Sequence, residues 1–96
     1  MQENANKLHN ILFSGTKNIV ITTHRSPDGD AMGSSLAVYN FLDQLNHNVN
    51  VIVPNDYPKF LKWLPSDENV IIYEDNKDYS DELVNNADIV FLLDFG

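Results

Sequence analysis

Ninety-six residues, 43% hydrophobic and 21% charged, make one globular domain or part of one with a single modest core, and exclude a two-domain chain. Six Lys and Arg against 14 Asp and Glu give a formal charge of −8, which argues against a broad electrostatic grip on nucleic acid or anionic lipid. The lack of Cys excludes disulfides and thiolate metal sites; no apolar run nears the ~20 residues of a membrane span, and MQENANKLHN lacks signal-peptide character, so the chain reads as cytoplasmic with no membrane partner.

Leu8, Ile11 and Leu12 recur at helical spacing in a polar stretch and predict an amphipathic helix ending near Gly15. Asn18 to His24 carries five β-branched residues in a row, the pattern of a parallel strand buried on both faces. From Asp30 to about Asn46, Met32, Leu36, Tyr39, Phe41, Leu42 and Leu45 keep helical spacing, with Asp30 read as the N-cap and Gly33, Ser34 and Ala37 as a small-residue strip for close approach. A second strand spans Val49 to Val53, a short helix Pro58 to Leu64, and a third strand Val70 to Tyr73. Ser80 is read as the cap of a two-turn helix reaching Ala87, and Ile89 to Asp94 is a fourth strand, again apolar on both faces. Alternating strands and helices predict an α/β fold with a mainly parallel sheet flanked by helices and right-handed crossovers.

The chemistry concentrates in His24-Arg25-Ser26-Pro27-Asp28-Gly29-Asp30-Ala31-Met32-Gly33-Ser34-Ser35. The first strand delivers His24 at its carboxyl end, where open α/β sheets build their sites. Two carboxylates then flank a glycine before a helix begins. Carboxylate oxygens suit Mg²⁺ and Mn²⁺, and an imidazole among them tilts the preference toward Mn²⁺, Fe²⁺ or Zn²⁺. Asp94 ends the last strand and faces the same crevice if that strand neighbours the first. Taken singly, each residue has a plain structural role: Asp28-Gly29 a turn, Asp30 a cap, Asp94 a strand end and His24 a hydrogen-bonded side chain. Their conjunction at strand carboxyl ends points to a metal-dependent phosphotransfer or hydrolase site.

Other motifs fail. An EF-hand starting at Asp28 would need ligands where Met32 and Tyr39 stand. Asp94-Phe95-Gly96 copies a kinase triplet without that fold's glycine-rich or catalytic loop, and neither a G-x-S-x-G elbow nor a G-x-G-x-x-G loop is present. A haloacid-dehalogenase-like nucleophile would directly end the strand, where His24 stands. His9 and His47 have no partners at ligand spacing and read as solvent-facing, and the acidic run from Asp67 to Asp88 as a solvated face.

The string His24-x-x-Pro27-Asp28-Gly29-Asp30-Ala31-x-Gly33-Ser34 resembles the first motif of the DHH phosphoesterase family, in the branch of nano-RNA oligoribonucleases and 3′-phosphoadenosine 5′-phosphate phosphatases, also labelled exopolyphosphatase-related. Leu92-Leu93-Asp94 resembles its second motif, where an Asp bridges two metal ions. The resemblance implies that residues 1–96 are the amino-terminal portion of a DHH catalytic domain, truncated after its second motif, with the Asp-His-His motif and a substrate-binding domain lying beyond Gly96. It implies that His24, Asp28 and Asp94 hold one Mn²⁺ and that Asp30 and Asp94 contribute to a second, with Mg²⁺ as the alternative ion and Asp30 and Asp94 as catalytic residues. Two ions activate a water against a phosphate ester of a short oligoribonucleotide or of 3′-phosphoadenosine 5′-phosphate. The expected protein is a Mn-dependent hydrolase, a phosphodiesterase or phosphatase that binds nucleic acid, and this chain alone is expected to be inactive. The alternative is a non-catalytic nucleotide-binding or regulatory α/β module. Oligomeric state leaves no mark in the sequence.

Overall fold

A computed structural model describes residues 2–93, with side chains from residue 6 onward. The elements are α1 (Gln2–Leu12), β1 (Asn18–Thr23), α2 (Gly29–Gln44), β2 (Asn48–Val53), β3 (Val70–Ile72), α3 (Lys77–Asn85) and β4 (Ile89–Leu93). Four strands form one parallel sheet in the order β3-β2-β1-β4, the α/β architecture expected from the alternation of elements. The β-branched run of β1 takes an interior place, with Ile19, Val20, Ile21 and Thr23 all buried. Reciprocal bonds from Asn18 N to Asp88 Oδ2 (2.8 Å) and from Asp88 N to Asn18 O (2.7 Å) fix the start of β4 against β1.

One sheet face packs on α2. Ile19, Ile21, Val51 and Val53 meet Met32, Leu36 and Leu42, and Tyr57 and Leu61 close the core beside them. Burying one such side chain contributes roughly 1.5–3 kcal/mol before chain entropy is set against it. β4 departs from the expected burial on both faces: it is an edge strand, and Val90 and Leu92 on its second face are exposed.

Local boundaries differ in four places. Asp28, not Asp30, caps α2: its extended backbone lets Oδ1 accept from Ala31 N at 2.9 Å, which places Gly29 and Asp30 in the first turn. The segment after Pro58 closes only a 3₁₀ turn, Lys59–Leu61. Ser80 lies buried inside α3, which begins three residues earlier at Lys77. His47 is not solvent-facing: it is 5% exposed, and its Nδ1 accepts from Lys17 N at 3.0 Å, pinning the entry to β2 against the entry to β1. His9 is exposed, as expected, and stacks on Phe13.

Candidate metal and phosphate site

The candidate site is a turn at the carboxyl edge of the sheet. β1 ends at the buried Thr23, and His24 follows half-buried. Ser26 turns the chain with a left-handed φ of 56°, an uncommon conformation for a residue other than glycine. Its N–H donates to Asn55 Oδ1 at 2.6 Å, while Asn55 Nδ2 donates to Ser26 Oγ at 3.3 Å. Buried Pro27 then fixes the approach to Asp28. The turn is thus held from β1, from α2 and from the segment after β2. Asn55 escaped the sequence reading, although its place just past the carboxyl end of β2 was the available signal.

Within this turn the side chains differ in commitment. His24 Nδ1 lies 2.8 Å from Arg25 O. A carbonyl oxygen only accepts, so Nδ1–H is the donor of this contact. An imidazole anchored through one nitrogen to a backbone carbonyl is the usual arrangement of a metal-ligating histidine. Asp28 gives Oδ1 to Ala31 N, while Asp30 stands exposed in the first turn. Arg25 reaches away to Glu74 Oε1 at 2.8 Å across exposed surface. The donor chemistry, one imidazole and two carboxylates, suits a hard or borderline divalent cation.

The structure brings His24, Asp28 and Asp30 onto one turn, yet among the described residues no three His, Asp or Glu side chains are grouped to hold a metal ion. Asp94, the fourth expected ligand, lies outside the described residues. Its strand does take the place that the expectation required, since β4 pairs with β1 in parallel up to Thr23↔Leu93. The small strip of Gly33, Ser34 and Ala37 does not face the sheet; a Cβ at Gly33 would meet no atom within 4 Å, and it is Ala31 and Ser35 that pack inward. A cleft of about 420 Å³ lies at the opposite edge of the sheet between Leu12, Phe13, Gly15, Thr16, Gln44, Leu45 and Asn46, none of which is ionisable.

The chain is similar in fold and in sequence to known proteins. A crystal structure of an exopolyphosphatase-related protein from Bacteroides fragilis superposes on all of this chain with a TM-score of 0.92 and 43% identity, over 28% of that protein's chain. The bifunctional oligoribonuclease and PAP phosphatase NrnA of Thermus thermophilus is 46% identical over 50 residues, which are 52% of this chain and 15% of that protein. The chain therefore spans much less than half the length of either. Residues 18–95, from the first strand through the end of the described fold and past it, match the DHH family N-terminal domain, and the chain belongs to the DHH family.

Proposed function

We propose that residues 1–96 are the amino-terminal portion of the catalytic domain of a metal-dependent phosphoesterase. The observation that carries this reading is the parallel pairing of β1 with β4 up to Thr23↔Leu93, because it ends both strands at one edge of the sheet, the edge at which the capping turn of α2 follows β1. His24, through Nε2, and Asp28, through the oxygen left after capping, are assigned to one cation, with Asp94 completing that set. Asp30 and Asp94 are assigned to a second ion and to catalysis.

A divalent cation held there, Mn²⁺ by the mixed imidazole and carboxylate set or Mg²⁺ in its place, lowers the pKa of a bound water and offsets charge on the phosphoryl oxygens. The chain's own residues supply placement. Asn55 and Ser26 hold the turn, the Arg25 carbonyl orients the imidazole, and the Ala31 amide fixes the Asp28 carboxylate. The substrate class, a phosphate ester of a short oligoribonucleotide or of 3′-phosphoadenosine 5′-phosphate, is supported by the name of the Thermus relative. A cysteine-free chain suits a reducing, cytoplasmic setting, and among the described residues no helix is long and apolar enough to cross a membrane.

The test has two arms. Calorimetric titration of the chain with Mn²⁺ should show binding that Asp28→Asn weakens at least tenfold. In a longer protein carrying this chain, Mn²⁺-dependent release of phosphate from 3′-phosphoadenosine 5′-phosphate or shortening of a small RNA should vanish in Asp30→Asn. Full turnover in Asp30→Asn at saturating Mn²⁺ would refute the assignment.

A further inference from the structure

We propose that Phe60 and Trp63 form a stacking platform for the bases of a single-stranded oligoribonucleotide whose phosphate reaches the motif turn, an inference that rests on the phosphoesterase reading above. At 71% and 75% exposure they are the most exposed large hydrophobic side chains among the described residues. They stand three apart, Phe60 within the 3₁₀ turn and Trp63 just past it, and both are exposed while Leu61 between them packs into the core.

The exposure does not come from a loose segment. Leu61 N, Lys62 N and Leu64 N bond back to the carbonyls of Pro58, Lys59 and Leu61 at 3.0, 3.0 and 3.2 Å. Lys62 Nζ reaches Asp56 Oδ1 at 2.6 Å and lies over the Tyr57 ring, 4.1 Å from its centroid. Ser66 Oγ donates to Asn40 Oδ1 of α2 at 2.9 Å.

The same segment is tied to the candidate site at two points. Asn55 bonds Ser26, and a Cβ at Gly29, between Asp28 and Asp30, would sit 3.8 Å from Leu61 Cδ2. The segment that carries the aromatic pair is therefore anchored to the turn that carries Asp28 and Asp30. Beyond it a groove of about 180 Å³ runs between Gly33, Ala37, Leu64 and Pro65.

Charge favours a nucleic acid over a protein as the occupant. On a chain of net charge −8, residues 56–65 keep a net positive charge: Lys62 is paired with Asp56, and Lys59 stands exposed beside Phe60. Lysine is depleted in protein interfaces, whereas aromatic rings interleaved with cations are the recurring surface for unstacked bases. Every base offers a π-face, so the platform would be tolerant of sequence.

Trp63 is the only tryptophan, so its fluorescence reports on the platform directly. The chain is titrated, in EDTA, with a five-residue oligoadenylate RNA and separately with ribose 5-phosphate, which lacks a base. Saturable quenching by the RNA alone is expected, weakened roughly 5- to 100-fold by Phe60→Ala and unchanged by Phe13→Ala, which removes an exposed aromatic ring at the opposite edge of the sheet, with circular dichroism verifying that both variants fold. Absent quenching, equal quenching by ribose 5-phosphate, or indifference to Phe60→Ala would overturn the proposal. So would a dimer seen by sedimentation and dispersed by Trp63→Ala, which would make a second copy the occupant. Quenching retained in a longer protein that lacks metal-dependent hydrolysis would support the platform and remove the phosphoesterase reading; hydrolysis with KM unmoved by Phe60→Ala would do the reverse.

Discussion

Asp28 is asked to do two things, and a substitution series separates them. One carboxylate oxygen caps α2 through the 2.9 Å bond from Ala31 N, and the other is assigned to a cation. Ala removes both functions, whereas Asn and Ser keep a capping acceptor and lose the anionic ligand. Loss of a cap costs about 1 kcal/mol, within a range of roughly 0.5–2. For a domain of this length that lowers Tm by about 4–8 °C. Asn ranks with Asp as a cap and forfeits only the interaction of a negative charge with the helix dipole, about 0.3–1 kcal/mol at low salt and less when screened. Asp28 is exposed, so screening is effective, and Asp30 keeps a negative charge in the first turn. Thermal unfolding in EDTA should therefore order the variants wild type, then Asn and Ser close together, then Ala. Repeating the scan with Mn²⁺ at about 100 times its Kd should stabilise the wild type by about 2.7 kcal/mol and raise none of the variants comparably. An Asn variant as unstable as Ala in EDTA would refute the capping argument, and equal stabilisation of wild type and Asn by Mn²⁺ would refute the ligand assignment.

Three further outcomes follow from other parts of the molecule. Burial first, then the hydrogen bond and charge of Asp67, raise the Tyr57 phenol above its ordinary value; the unfolded phenol ionises near pH ~10 while the folded one keeps its proton, so this contribution is intact below pH ~10 and is lost as pH rises further. Urea unfolding between pH 8 and 11 should show that decline, and Tyr57→Phe should flatten it in part, since Tyr39 is shifted in the same direction. His47→Ala leaves the Lys17 amide without its 3.0 Å acceptor and should cost about 1–3 kcal/mol in urea unfolding, with His47→Asn recovering part of it if the acceptor is what matters. Asp30→Asn should change chain stability by less than about 0.5 kcal/mol, because Asp30 is exposed and accepts no hydrogen bond among the described residues; a larger loss would mean that Asp30 is structural.

The interior strands were legible because β1 carries an unbroken β-branched run and β2 ends in Val51, Ile52 and Val53, all of which are buried in the parallel sheet. The start of α2 was misplaced by two residues for a specific reason: Asp28 and Asp30 are equally good caps in isolation, and the choice is made by buried Pro27 and the Ser26 turn, which aim the Asp28 side chain at the Ala31 amide. His47 sits between two asparagines and reads as loop. What buries it is the Lys17 amide thirty residues earlier in the chain, and no local pattern encodes such a contact. Ser80 resembles a cap in the sequence because the polar Lys77, Asp78 and Tyr79 conceal the real first turn of α3. The motif turn was legible as a strand end followed by a helix start, whereas its clamp by Asn55 required knowing that β2 lies next to β1.

Charge constrains how such a chain can meet a phosphate. Between His24 and Ser35 the only basic side chain is Arg25, and it is paired with Glu74 2.8 Å away on the surface, an exposed pair worth no more than about 1 kcal/mol. Two carboxylates stand within the same turn, so a bare phosphoester approaching it meets repulsion rather than attraction. The turn nevertheless fixes its donors: the imidazole is oriented by a carbonyl, Asp28 by an amide and the backbone by Asn55. The carboxylates of this turn make a poor phosphate cradle by themselves, and the cation proposed above would supply the positive charge the turn lacks. That lack, more than the number of acidic residues, is the physical reason to expect a metal between this turn and its substrate.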